Sequence, residues 1–199
     1  MIKTISSIAT ILANYQPVLL DETPIAAAVM MILLIDENEE IDIVLTKRAD
    51  NLPTYAGHYS FPGGMRDPSD PDLYQTAVRE VYEELNLPAH AYQAIGQLDD
   101  FQDHEGHLVR PFVAYMKKAD FKRLYKQSTA EVAELYYFPL NKLNAIHDDP
   151  TLHAITRRRP SYAFREGHVF VWGLTATILI HFLNVLMGHK SPLGKIILP

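Results

Sequence analysis

Three acidic residues fall within five consecutive positions of one predicted helix, in the segment Arg79-Glu80-Val81-Tyr82-Glu83-Glu84. At roughly 100° of rotation per residue, Glu80, Glu83 and Glu84 project within an arc of about 100° on one helix face. Like charges at this spacing repel one another and destabilise the helix. A hard divalent cation such as Mg²⁺ or Mn²⁺ prefers oxygen ligands and would offset the repulsion. A solvated acidic face without a metal ion is the alternative interpretation.

A glycine-containing loop, Ser60-Phe61-Pro62-Gly63-Gly64, precedes this helix. Paired glycines allow the backbone to approach a ligand or a cation closely, because they carry no Cβ atom. The loop leads into the acidic helix. We therefore expect loop carbonyl groups and helix carboxylates to converge on one ion.

The elements that position these residues follow from the hydrophobic pattern. Apolar residues recur every four positions from Leu73 to Leu85, which predicts a helix over 72–87, ending before Pro88. The continuous apolar run at 25–35 predicts a strand buried on both faces, and the alternation at 41–46 predicts its hairpin partner. Further strands are predicted at 92–98, 108–116, 132–138 and 162–171, a loop over 51–71, and helices near the N-terminus, at 139–146 and at 172–187.

Composition restricts the class of protein. The chain has 199 residues, of which 48% are apolar and 21% are charged, as in an ordinary soluble domain. We expect one domain over 1–199, with an N-terminal helix and linker (1–24) outside a core (25–187) and a tail (188–199). The absence of cysteine excludes disulfides and thiolate zinc sites. A net charge of −6 disfavours nucleic-acid binding. We expect no membrane span and a cytoplasmic location.

The acidic helix and its preceding loop resemble the signature of the Nudix hydrolases, Gly-x5-Glu-x7-Arg-Glu-U-x-Glu-Glu-x-Gly-U, where U is a large aliphatic residue. Here Gly64 is followed after five residues by Asp70, and after eight more by REVYEELNL. Asp70 replaces the first Glu, the next spacer is one residue longer, and Asn86 replaces the late Gly. Asn, like Gly, tolerates the left-handed conformation at a helix end, so we expect Asn86 to preserve the backbone.

The preceding residues, VLTKRADNLPTYAGHYSFPGG, resemble a pattern of the coenzyme A pyrophosphatase branch of this family. That pattern is Leu-Leu-Thr-x-Arg-(Ser/Ala)-x3-Arg-x3-Gly-x3-Phe-Pro-Gly-Gly. The residues in register with it are Thr46, Arg48, Ala49, Gly57 and the segment Phe61 to Gly64. Pro53 stands where the pattern has its second Arg. The branch also tends to have the Asp and the longer spacer.

The resemblance implies a fold and an activity. The expected fold is α/β, a Nudix-type α/β/α sandwich with a mixed, partly antiparallel sheet. The expected reaction is metal-dependent hydrolysis of the pyrophosphate bond of coenzyme A or its thioesters, giving 3′,5′-ADP and 4′-phosphopantetheine. By motif position, the ligands of Mg²⁺ or Mn²⁺ would be Glu80, Glu84, Glu83 and the carbonyl oxygen of Gly63.

Other roles carried over by the resemblance concern catalysis and substrate binding. Arg79 would hold the carboxylates by ion pairing, and the general base would be Glu80 or a loop residue such as Glu131. Arg48 would bind a phosphate of the small nucleotide substrate, and Gly64 and Phe61 would also line the substrate site.

Two other functions stay open at this point. One is a Nudix hydrolase for another nucleoside diphosphate derivative, such as ADP-ribose or a dinucleotide, which the Pro53 departure favours. The other is a nucleotide-binding module without turnover. The N-terminal helix and the tail are candidates for a homodimer contact.

Overall fold

The apolar run at 25–35 forms the central strand of the sheet. In a computed structural model that describes residues 4–21, 26–49, 56–126, 131–147 and 162–188, this strand is β1 (Ala26–Ile35). It pairs in parallel with β7 (Leu108–Lys117) along its whole length and antiparallel with β2 (Ile41–Arg48) near its end. Almost every residue of β1 is buried, which confirms the prediction of a strand covered on both faces.

The other strands complete a mixed sheet, and eight strands of the described chain belong to it. β8 pairs antiparallel with β2, and a separate two-stranded hairpin is formed by β9 and β10. The predicted loop over 51–71 contains two short strands, and the single extended segment predicted at 162–171 turns back on itself at Gly167. The remaining bounds are β3 (Tyr59–Ser60), β4 (Gly63–Met65), β5 (Gln93–Gln97), β6 (Phe101–Gln102), β8 (Val132–Pro139), β9 (Ala163–Glu166) and β10 (Val169–Trp172).

Helices cover both faces of the sheet. On one face lie α2 (Leu73–Leu85) and α3 (Lys118–Leu124), packed on a core around Met30, Ile32 and Leu34. On the other lie α1 (Ile5–Asn14), α4 (Leu140–His147) and α5 (Gly173–Leu186), packed on a second core that includes Met31 and Leu33. Neighbouring residues of β1 therefore serve opposite cores. The structure has the predicted α/β/α arrangement.

Two local predictions need correction. The hydrophobic pattern predicts no element between the strands at 108–116 and 132–138, but α3 forms there. Its short length leaves no visible periodicity, and its Phe121 is fully buried. The N-terminal helix does not lie outside the core, because Ile8 and Leu12 are buried in it. The segment that follows α1 is also held in place. The Tyr15 hydroxyl donates to Asp99 Oδ1 at 2.6 Å, and the Val18 N–H donates to the same oxygen at 2.9 Å. None of the described helices has the length and apolar character needed to cross a membrane.

Candidate active site

Helix α2 presents the acidic residues and is fixed at both ends. The Asp72 side chain accepts a hydrogen bond from the Gln75 backbone N–H at 2.8 Å, which caps the N-terminus. Val81 and Leu85 are fully buried against the sheet. Their burial fixes the rotation of the helix and therefore the direction in which the neighbouring acidic side chains point. The helix ends at Asn86, which has φ 55° and ψ 30°. This left-handed conformation confirms the expectation for Asn86.

Glu84 is the most deeply buried carboxylate of the helix, with only 4% of its surface exposed. Its Oε2 accepts a hydrogen bond from the Thr46 hydroxyl at 3.2 Å, and its Oε1 accepts one from the Gly63 backbone N–H at 3.4 Å. Both donors are neutral. Burial raises the pKa of Glu84 to about 8, and the nearby Glu80 adds to the shift. Thr46 matched the sequence pattern, but its contact with Glu84 was not predicted.

Glu80 lies directly against the glycine loop. A Cβ atom added at Gly64 would lie 2.6 Å from the Glu80 carboxyl carbon, so any larger residue would displace this carboxylate from its position. Burial raises the pKa of Glu80, although the neighbouring Arg79 opposes the shift. Gly63 is also restricted to glycine, because its φ is +154° and a Cβ there would lie 2.7 Å from the Val29 Cα.

Glu131 joins these two residues from a distant part of the chain. It directly precedes β8, and its carbonyl oxygen accepts a hydrogen bond from the Ala49 N–H at 2.8 Å at the end of β2. Carboxylate oxygens of Glu80, Glu84 and Glu131 all lie within 4.8 Å of one another. Three carboxylates this close repel one another unless protons or a cation intervene. Their hard oxygen donors, one of them buried on neutral partners, fit a Mg²⁺ or Mn²⁺ ion.

Arg79 connects the carboxylates to the glycine loop. Its guanidinium lies 3.1 Å from Asp70 Oδ2, 2.8 Å from Glu80 Oε1 and 2.8 Å from Glu83 Oε2, and it also donates to the Met65 carbonyl oxygen at 2.9 Å. The hydrogen bond from Arg79 is the main cause that lowers the pKa of Asp70. Asp70 is 7% exposed. The shorter acidic residue of the motif therefore holds Arg79 in place.

Comparison with known proteins assigns the family. A model described as the NUDIX domain matches residues 24–159. The chain belongs to the Nudix family. It is 34% identical over 140 residues to an uncharacterized Nudix hydrolase, NudL, from Photorhabdus laumondii, covering 69% of this chain and 73% of that protein. NudL of Yersinia pestis is also 34% identical, over 144 residues and 71% of each chain. These relatives identify the chain as a Nudix hydrolase.

A solved structure shows the same fold over a longer stretch. The MutT/nudix family protein from Enterococcus faecalis aligns with 96% of this chain and 74% of its own, with a TM-score of 0.55. The sequences are 14% identical, so this similarity concerns the fold alone.

The structure also gives the positions of Glu83, Phe61 and Gly63, which the sequence predicts for the Nudix site. Glu83 is 48% exposed and ion-paired with Arg79, and the structure does not place it in the group formed by Glu80, Glu84 and Glu131. Phe61 is only 2% exposed and packs in the core, and its role in substrate binding stays a prediction. Gly63 directs its N–H to Glu84, and the role of its carbonyl oxygen stays a prediction.

Arg48 is the last residue of β2 and directly precedes Ala49, whose N–H pairs with the Glu131 carbonyl oxygen. The Arg48 backbone N–H donates to the His58 carbonyl oxygen at 2.9 Å. Burial and the positive charge of Arg48 lower the pKa of His58. The Arg48 side chain is therefore close to His58. Its binding to a phosphate stays a prediction.

A second group of possible ligands, Asp103, Glu105 and His107, lies in the exposed turn between β6 and β7. The Asp103 carboxylate accepts hydrogen bonds from the backbone N–H groups of Glu105 and His107. These contacts stabilise the turn itself, which is a sufficient explanation of the cluster.

Proposed function

We propose that this Nudix hydrolase cleaves the pyrophosphate bond of coenzyme A or its thioesters in the presence of Mg²⁺ or Mn²⁺. The products would be 3′,5′-ADP and 4′-phosphopantetheine or its acyl derivative. One observation carries the proposal: residues of the segment that resembles the coenzyme A pyrophosphatase pattern contact the proposed metal ligands. Thr46 donates to Glu84, and Gly64 makes room for Glu80.

The proposed mechanism assigns roles to the chain's own side chains. Glu80, Glu84 and Glu131 hold the cation, and Arg79 fixes the orientation of Glu80. When bound, a divalent cation lowers the pKa of water and neutralises charge on phosphoryl oxygens. Either Glu80 or Glu131 accepts the proton of the attacking water, since both carboxylates face the same space. Arg48 binds a substrate phosphate.

A second candidate substrate is another nucleoside diphosphate derivative, such as ADP-ribose or a dinucleotide. Pro53, where the branch pattern has an Arg, is the observation that favours it. Pro53 lies outside the described residues. Loss of one cation would weaken binding of the additional phosphate that distinguishes coenzyme A from these substrates.

Product analysis tests the proposal. Incubation of the protein with coenzyme A and Mg²⁺ or Mn²⁺ is expected to release 3′,5′-ADP, detected by chromatography and mass spectrometry. Glu80→Gln and Glu84→Gln are each expected to abolish the release while circular dichroism shows a folded protein. Glu37→Gln, in the exposed turn after β1, removes one negative charge elsewhere and is expected to retain activity.

Other outcomes would replace the proposal. Hydrolysis of ADP-ribose or a dinucleotide but not of coenzyme A would establish the second candidate. Tight binding of a nucleotide without hydrolysis of any would establish a binding module. Full activity in Glu84→Gln would remove the proposed metal site.

A further inference from the structure

A cleft of about 460 Å³ lies between the β2 and β3 strands on one side and the β9–β10 hairpin on the other. One wall comes from β2 and β3 and includes Lys47 and Tyr59. The other comes from β10 and includes Phe170 and Trp172. The volume lies in the range usual for small-molecule sites. The second wall lies beyond residue 159, where the match to the family model ends.

Hydrogen bonds join the two walls at the base of the cleft. Glu134 on β8 accepts a hydrogen bond from the Tyr59 hydroxyl at 3.1 Å, and its other oxygen lies 3.0 Å from His168 Nε2. Burial and the hydrogen bond to Glu134 raise the pKa of Tyr59 to about 12, so the Tyr59 hydroxyl stays protonated and remains a donor. The rings of His58 and Trp172 meet edge to face, with their centroids 4.9 Å apart. The walls are therefore held at a defined separation.

The chemistry of the cleft suits a flat heteroaromatic ring. Trp172 is 43% exposed, which leaves much of its large aromatic surface available. His58, Tyr59 and Phe170 add further rings, and His58 and Tyr59 also carry polar atoms. Of the described residues that line the cleft, none is aliphatic. An acyl chain would bind less tightly here than a purine, because stacking on aromatic rings and hydrogen bonding at ring edges both favour a base.

Strand β2 contributes to both the cleft and the proposed catalytic site. Thr46 contacts Glu84 on one face of the strand, and the next residue, Lys47, lines the cleft on the other. Arg48 then pairs through its backbone with His58, a cleft residue, while Ala49 pairs with Glu131. Backbone hydrogen bonds at the end of β2 therefore join a cleft residue and a proposed metal ligand to adjacent residues of one strand.

We propose that this cleft binds the purine ring of the nucleotide substrate, stacked on Trp172, with Lys47 contacting a phosphate on its ribose. The inference rests on the proposed function in taking a coenzyme A-like nucleotide as the substrate. Stacking contributes most of the binding. The hydrogen bond with His168 is the main cause that lowers the pKa of Glu134, and the charge of Lys47 contributes to the same shift, so part of the positive charge of Lys47 is already compensated.

Fluorescence tests the inference directly, because Trp172 is the single tryptophan of the chain. Titration of the wild-type protein with adenosine 3′,5′-bisphosphate in EDTA is expected to quench its emission in a saturable way. Adenosine is expected to give the same maximal quenching with weaker binding, and 4′-phosphopantetheine is expected to give none. No change with the bisphosphate, or quenching by 4′-phosphopantetheine instead, would overturn the assignment of the purine ring to this cleft.

Variants test the two contacts separately. Lys47→Ala is expected to weaken binding of the bisphosphate severalfold and to leave adenosine binding unchanged. Lys117→Ala, an exposed lysine at the end of β7 outside the cleft, serves as the matched control and is expected to bind both as the wild type does. Unaltered bisphosphate binding in Lys47→Ala would overturn the phosphate contact.

Kinetics connect the cleft to turnover. Trp172→Ala is expected to raise the KM for coenzyme A about tenfold with little change in kcat, and Trp172→Phe is expected to restore most of the affinity. Quenching without any hydrolysis of coenzyme A would contradict the proposed function and support the cleft. Hydrolysis without quenching would support the proposed function and overturn the cleft.

Discussion

Glu84 combines two unfavourable features in one side chain. It is almost completely buried, and Glu80 and Glu131 place two further carboxylates beside it. Its two hydrogen bonds come from neutral donors, so they offset only part of the cost of burying a charge. A proton would relieve the repulsion in the metal-free protein, and the proposed divalent cation would relieve it in the active form.

This competition predicts how pH affects the metal-free protein. The pKa of Glu84 is about 8 in the folded chain, against a reference value of 4.5. Between these values the folded state binds more protons than the unfolded state, so the free energy of unfolding falls as the pH rises through that window. Urea denaturation in EDTA is expected to show lower stability at about pH 9 than at about pH 6, with a smaller decrease in Glu84→Gln. Equal decreases in the two proteins would contradict this.

At the scale of single elements, α2 depends on its C-terminal residue. Asn86 replaces the family's glycine in a left-handed conformation that costs a residue such as alanine about 1–2 kcal/mol. We expect Asn86→Ala to lower the free energy of unfolding by roughly that amount and Asn86→Gly to leave it nearly unchanged. Denaturant titrations of the three proteins measure the difference. Equal stabilities of the Ala and Gly variants would show that the left-handed residue is not limiting.

The pairing of β8 with β2 predicts a different ligand set from the spacing on α2 alone. Glu131 belongs to the close carboxylate group, whereas Glu83 is half exposed and paired with Arg79. Glu131→Gln is therefore expected to raise the Mg²⁺ concentration needed for half-maximal activity more than Glu83→Gln does. Metal titrations of the initial rate compare the two variants at equal protein stability. The opposite order would favour Glu83 as the third ligand.

The local elements of the site could be predicted from the sequence, whereas several contacts could not. The helix around Val81 and the turn at Asn86 depend on neighbouring residues, so their patterns are visible locally. The position of Glu131 beside α2 depends on the pairing of β8 with β2, which joins residues far apart in the sequence, such as Thr46 and Leu135. The burial of Phe61 likewise depends on the whole fold, so its motif alone could not predict it.

For the whole molecule, the two faces of the sheet have different tasks. The face covered by α2 carries the carboxylates, and the opposite face, covered by α1, α4 and α5, adjoins the aromatic cleft. Residues 162–188 lie beyond the family match but supply β10 and α5 to that second face. The proposed metal ligands therefore lie within the family match, whereas part of the proposed purine cleft lies beyond it. The single-domain assignment and the homodimer stay predictions.

The central claim is that Glu80, Glu84 and Glu131 together hold a divalent cation. Isothermal titration calorimetry with Mn²⁺, performed with and without a non-hydrolysable nucleotide, measures this most directly. The wild-type protein is expected to bind Mn²⁺ saturably, and Glu84→Gln is expected to lose that binding while remaining folded. Absence of Mn²⁺ binding by the wild type even with the nucleotide present, or undiminished binding by Glu84→Gln, would contradict the claim.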